Sequence, residues 1–82
     1  MPKFMDVHDG FVGVTKEQFD AAHAADVAIQ HEEGVSFDAA WLDPVSGKVF
    51  CLATGPDIDA IKRVHARAGH PATDTFELVH EV

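Results

Sequence analysis

Two hydrophobic periods alternate along the chain. In KFMDVHD, Lys3 to Asp9, Phe4, Asp6 and His8 share one parity while Met5 and Val7 share the other, the period of a strand, which Gly10 ends. After the loop GFVGV, Thr15 is placed to cap a helix, its hydroxyl accepting the amide three residues on while Gln18 reaches back. From Lys16 to about Glu33 the chain is Ala-rich, with Phe19, Ala22, Ala25 and Ile29 at helical spacing and Gly34 at the stop. Period two returns from Val35 to Asp43, with Val35, Phe37, Ala39 and Trp41 on one parity and the indole expected to be buried near the strand's end. PVSG then turns the chain into the apolar run KVFCLAT, Lys48 to Thr54, which predicts an antiparallel hairpin. Gly55-Pro56 breaks that run. Asp57 caps a second helix from Ile58 to Ala68, with Ile61, Val64, His65 and Ala68 on one face, and Gly69 and Pro71 end it. Thr75 to Val82 reads as the last strand.

This order, strand, helix, strand, strand, helix, strand, predicts an α+β chain with a ferredoxin-like βαββαβ sandwich, one domain over residues 1–82. Both helices cover one face of a four-stranded antiparallel sheet, and the other face is left without a cover from its own chain. A homodimer that pairs two such faces is the expectation.

Charge narrows the partners. Six Lys and Arg against 14 Asp and Glu give a net charge of −8, which opposes binding to nucleic acid or to an anionic membrane surface. No stretch approaches the roughly 20 apolar residues that span a bilayer, and the start, MPKFMDVHDG, has no positively flanked apolar segment, so a cytoplasmic location is expected. Cys51 is the single cysteine, which excludes an internal disulfide and every zinc pattern built on two or more thiolates. Six histidines beside an acidic surplus are the unusual feature, because imidazole and carboxylate are ligands that borderline divalent metals accept.

The fold hosts many activities, and several fail on residues. A copper-chaperone-like site needs Cys-x-x-Cys in the first loop, where this chain has DGFVGVT. An acylphosphatase-like site needs an arginine in that loop to hold a phosphoryl oxygen, and none occurs before Arg63. An RNA-binding sheet needs stacking aromatics in a basic setting, which an acidic chain does not supply.

The candidate metal ligands are His8 at the end of the first strand, His23 and Asp26 on the first helix, His65 on the second helix, and His70 just beyond it. His23 and Asp26, three apart, lie on one side of their helix and suit a shared cation, although such pairs more often stabilise a solvated helix. Asp6 and His8 share a strand face, either as an exposed polar strip or as groups reaching one ion. His65, among Ile61, Val64 and Ala68, reads by default as a buried histidine satisfied by one hydrogen bond. His70 at a helix end is also favoured there by the helix dipole without binding anything. His31 beside Glu32 and Glu33 is a solvated side chain or a reserve surface site, His80 is structural or surface, and Cys51 and Trp41 are core packing.

Taken together, MDVH at the start, the HAAD helix, GKVFCL after the hairpin, and the Pro-led helix carrying VHARAGH resemble the family of small bacterial nickel-binding proteins with a ferredoxin-like fold. The resemblance spans almost the whole chain. It implies a homodimer that binds nickel through histidine, carboxylate and water, in sequestration or in the response to excess metal, and it implies no catalytic reaction. His8 matches through MDVH, His23 and Asp26 through the helix motif, and His65 and His70 through the segment after the second helix begins; AGHPATD, with Gly before His70 and Pro71 after it, departs from the pattern. Imidazole chemistry alone also admits zinc or copper, so nickel comes from the resemblance.

Two other readings compete with nickel binding. One is a small dimeric enzyme of the cofactor-free oxygenase type, with Trp41, His65 and His8 lining a pocket between sheet and helices. The other is an interaction module whose histidines are incidental.

Overall fold

The computed structural model describes residues 1–82. Strand β1 spans Lys3–His8, helix α1 Lys16–Ile29, β2 Ser36–Asp43, β3 Lys48–Thr54, α2 Ile58–Arg67 and β4 Asp74–Glu77. The sheet order is β2-β3-β1-β4 and every neighbouring pair is antiparallel, which is the ferredoxin-like βαββαβ arrangement with both helices on one face. Register fixes which side chains meet the helices. Phe4, Asp6 and His8 stand opposite Ala53, Cys51 and Val49, and all six are buried on the covered face. Met5 and Val7 stand opposite Leu52 and Phe50 on the other face.

Both helices begin as their caps predict. The Thr15 hydroxyl accepts from Gln18 N at 3.2 Å while the Gln18 side chain accepts from Thr15 N at 3.0 Å, and Asp57 accepts from Ala60 N at 2.8 Å. Helix α2 packs Ala60, Ile61, Val64 and His65 into the sheet, and its three apolar members join Phe4, Val35, Phe37, Val49, Cys51 and Ala53 in the core. The α-helical part of α1 ends earlier than Glu33: at Gln30–Glu33 it tightens into a 3-10 turn closed by Gly34 at φ +68°, a left-handed conformation that glycine adopts without strain. The Gln30 side chain accepts from Phe37 N at 2.9 Å and so ties that turn to the next strand.

The predicted stripe of α1 holds at Phe19, Ala22 and Ile29, which are partly buried toward the core and the cavity beside it, but not at Ala25, which is exposed; Asp26, one residue on, is the helix's buried residue.

Two further expectations are corrected. Trp41 is not core: a bulge between Phe37 and Ala39 leaves Asp38 unpaired, so the residues beyond it change faces. Ala40 and Leu42 pair with Cys51 and Val49 on the covered side, whereas Trp41 pairs with Phe50 on the open side and is 52% exposed. Strand β4 is shorter than Thr75–Val82, because its ladder runs only to Glu77 and Leu78 N makes a last bond to Lys3 O. His80 therefore lies outside the sheet and is exposed.

Candidate metal centre

Asp6 and His8 enter the covered face because β1 alternates and Phe4, two residues earlier, anchors that parity in the core. Asp26 reaches the same place from α1 and His65 from α2, each fully or almost fully buried. His65 Nδ1 donates to Asp26 Oδ1 at 3.0 Å, and His65 Nε2 donates to Asp6 Oδ2 at 2.5 Å. A ring that donates from both nitrogens to carboxylates is an imidazolium. Burial on its own would lower its pKa, but the bonds to Asp26 and Asp6 outweigh that and raise it to about 11. The Phe37 ring lies against the cation, its centroid 4.6 Å away and its plane tilted by 45°. Asp26 is desolvated, yet His65 and His70 hold its carboxyl below the usual range.

His70, half-buried beyond the end of α2, donates from Nε2 to Asp26 Oδ2 at 2.9 Å, so the two oxygens of Asp26 are shared between two imidazoles. His8 has the opposite surroundings. It is 2% exposed, neither ring nitrogen has a hydrogen-bond partner, and burial together with the neighbouring His65 cation lowers its pKa to about 4. It is therefore a neutral imidazole at physiological pH, packed edge-on to His65 with centroids 4.4 Å apart. One oxygen of Asp6 also lacks a partner.

A small cavity of about 10 Å³ opens beside this cluster, lined by His8, His23, Asp26, Cys51 and His70 together with Phe11, Phe19, Ala22, Ala40 and Val49. It has room for about one water molecule or a bare ion, and none for an organic substrate. A pocket lined jointly by Trp41, His65 and His8 does not form, since the bulge puts the indole on the other side of the sheet.

Of the five predicted ligands, His8, Asp26, His65 and His70 thus converge, while His23 lines the cavity without joining the hydrogen-bonded cluster. Two groupings of donor atoms lie within 4.8 Å of one another: Asp26, His65 and His70 toward the outside, and His8, Cys51 and His65 inside. His65 belongs to both but has each nitrogen engaged by a carboxylate. Asp6 was absent from the predicted ligand set; its shared parity with Phe4 and His8 was the available signal, because a carboxylate on a core-facing position requires a cation. His31 remains exposed, and its acidic neighbours are occupied, Glu32 by Arg67 and Glu33 by Arg63.

Residues 4–78 match the family described as nickel responsive protein SCO4226-like. The chain belongs to that family. Among solved structures, SCO4226 from Streptomyces coelicolor A3(2) is 46% identical, with a TM-score of 0.96 over 98% of this chain and 99% of that one. No curated protein matches. Family membership and that likeness agree with the resemblance carried by the MDVH, HAAD and VHARAGH segments and with the fold read from the element order.

Proposed function

We propose that this member of the nickel-responsive family binds nickel and sequesters or detoxifies it in the cytoplasm, with Asp26 and His70 as the first protein donors, His23 as a further imidazole lining the same cavity, and water completing the shell. The observation that carries this reading is the His70 Nε2 to Asp26 Oδ2 separation of 2.9 Å at the partly open edge of the cluster. Two donors at right angles on one ion, each bonded at roughly 2.1 Å, stand about 3 Å apart, so a cation replaces the shared hydrogen bond with little movement. Charge favours it. With His65 protonated and Asp6 and Asp26 ionised, the cluster carries one net negative charge, which attracts a cation to its rim. In this reading His65 orients Asp26 and leaves its second oxygen for the ion, and His8 lies deeper. Zinc and copper bind the same donor types in vitro, and nickel is favoured by the family.

Calorimetric titration of metal-free protein with nickel tests it. His70→Ala is expected to weaken binding by about tenfold or more, and His23→Ala by less. Wild-type affinity in both variants would overturn the ligand assignment; absence of nickel binding by the wild type would overturn the function.

The second part of the reading is a homodimer formed through the open sheet face. Its support is the residue rows across that face, Trp41–Phe50–Val7 and Ala39–Leu52–Met5–Phe76, uncharged until Asp74 at the edge, with Trp41 and Phe76 more than half exposed. Sedimentation velocity at micromolar concentration tests it, a monomer being the contrary result.

A further inference from the structure

We propose that His8 and Cys51 form a separate internal site for monovalent copper, in which the Cys51 thiolate and a ring nitrogen of His8 hold Cu(I) in two-coordinate geometry. It adds to the nickel reading and shares no donor with it.

On the paired strands β1 and β3, Asp6 stands opposite Cys51 and His8 opposite Val49, so His8 and Cys51 are diagonal neighbours on the covered face. Donor atoms of His8, Cys51 and His65 lie within 4.8 Å of one another. The two carboxylates already occupy His65, which leaves one sulfur and one imidazole. His8 is the independent sign of a ligand. Its nitrogens are without partners at 2% exposure, and buried polar groups are seldom left so. Nor does Cys51 have another thiol with which to form an internal disulfide.

The chemistry of this pair selects the ion. Thiolate is a soft donor and suits Cu(I), which is satisfied by few ligands, as the buried His8 and Cys51 provide; nickel relies on waters to complete its shell and is better served at the rim, where His70 is partly exposed. Two opposed bonds of roughly 2 Å each put sulfur and nitrogen about 4 Å apart, a spacing compatible with donor atoms that lie no more than 4.8 Å from one another. On binding, the Cys51 S–H bond breaks, an S–Cu bond forms and the proton leaves to solvent. Copper arrives and stays as Cu(I), so no electron is transferred. Inner and outer sites thus sort metals by softness: buried sulfur and nitrogen for Cu(I), carboxylate, imidazole and water at the rim for nickel.

The test is anaerobic competition of the reduced wild-type chain against Cu(I) bathocuproine disulfonate, with nickel calorimetry on the same preparations. The wild type is expected to withdraw one Cu(I) per chain, and Cys51→Ala to lose about 100-fold or more in Cu(I) affinity while its nickel isotherm stays unchanged. Copper K-edge absorption of the wild type, which needs no variant to fold, is expected to show sulfur and nitrogen in the first shell. Wild-type copper affinity in Cys51→Ala, a first shell without sulfur, or a wild type that leaves all copper with the chelator would each overturn the site. Copper uptake by a wild type that binds no nickel would support this site and sink the nickel reading alone.

Discussion

On the face of the sheet that the helices cover, β1 presents Phe4, Asp6 and His8; on the opposite face it presents Met5 and Val7. Ionised groups at zero to 2% exposure are set within the apolar core of the covered face, while a row containing Trp41 and Phe50 is turned outward. The difference teaches that the two faces are satisfied by different means. Inside, Asp6, Asp26 and His65 neutralise much of one another's charge, and each bond is made at the cost of desolvation that only the complete set offsets. Outside, apolar surface is left uncovered by the chain itself, which is the ground for the proposed dimer.

The largest expected effect comes from breaking the inner face. His65→Leu leaves Asp6 and Asp26 buried without their cation and should cost about 3–5 kcal/mol in urea unfolding, whereas replacing all three by apolar residues of similar size should recover most of that loss. A single variant as stable as the wild type would show that the cluster is not ionised.

The same imidazolium sets a pH dependence. Its folded pKa of about 11 lies above the unfolded value of roughly 6.5, so its contribution is complete below about pH 6.5 and is lost as pH rises from there toward 11. His8, lowered to about 4, runs the other way: stability is lost as pH falls from about 6.5 toward 4, as the unfolded chain takes up a proton that the folded one refuses. Asp26, held low, adds to the acid loss. Urea midpoints followed across this range should peak near pH 6.5 on account of the two histidines, and His65→Leu should flatten the alkaline limb. A midpoint that climbs steadily into alkali would contradict the imidazolium.

The outer face is tested by Trp41→Ala. Loss of a central aromatic should cost the proposed dimer about 2 kcal/mol, roughly 30-fold in its dissociation constant by sedimentation, with little change in the fold of each chain. An unaltered constant would move the interface elsewhere. Smallest is Thr15→Ala, which removes the cap of the helix that carries Asp26 and should cost about 1 kcal/mol, read as a drop in melting temperature.

Much of this was legible along the chain for local reasons. Caps at Thr15 and Asp57, the alternation of β1 and the hairpin at PVSG act over a few residues, and each appears where its residues call for it. The parity of β2 failed because a bulge depends on what the strand faces across the ladder: Asp38 drops out of pairing while its carboxylate accepts from Ser36 Oγ and Thr54 Oγ1, which turns Trp41 outward. The last strand failed similarly, since apolar Leu78 and Val79 continue the pattern but have no longer ladder to join.

At the candidate site, residue types in the sequence determined which donors exist, histidine and carboxylate with one thiol, and shared parity already put Asp6 beside His8. Folding alone decided their states. His65 meets Asp26 across 39 residues of sequence and Asp6 across 59, so whether a given imidazole is a doubly bonded cation or a neutral ring without a partner follows from which carboxylates the packed helices bring within hydrogen-bond reach. Period and capping are properties of neighbouring residues, whereas desolvation and ion pairing are properties of the space that distant elements enclose.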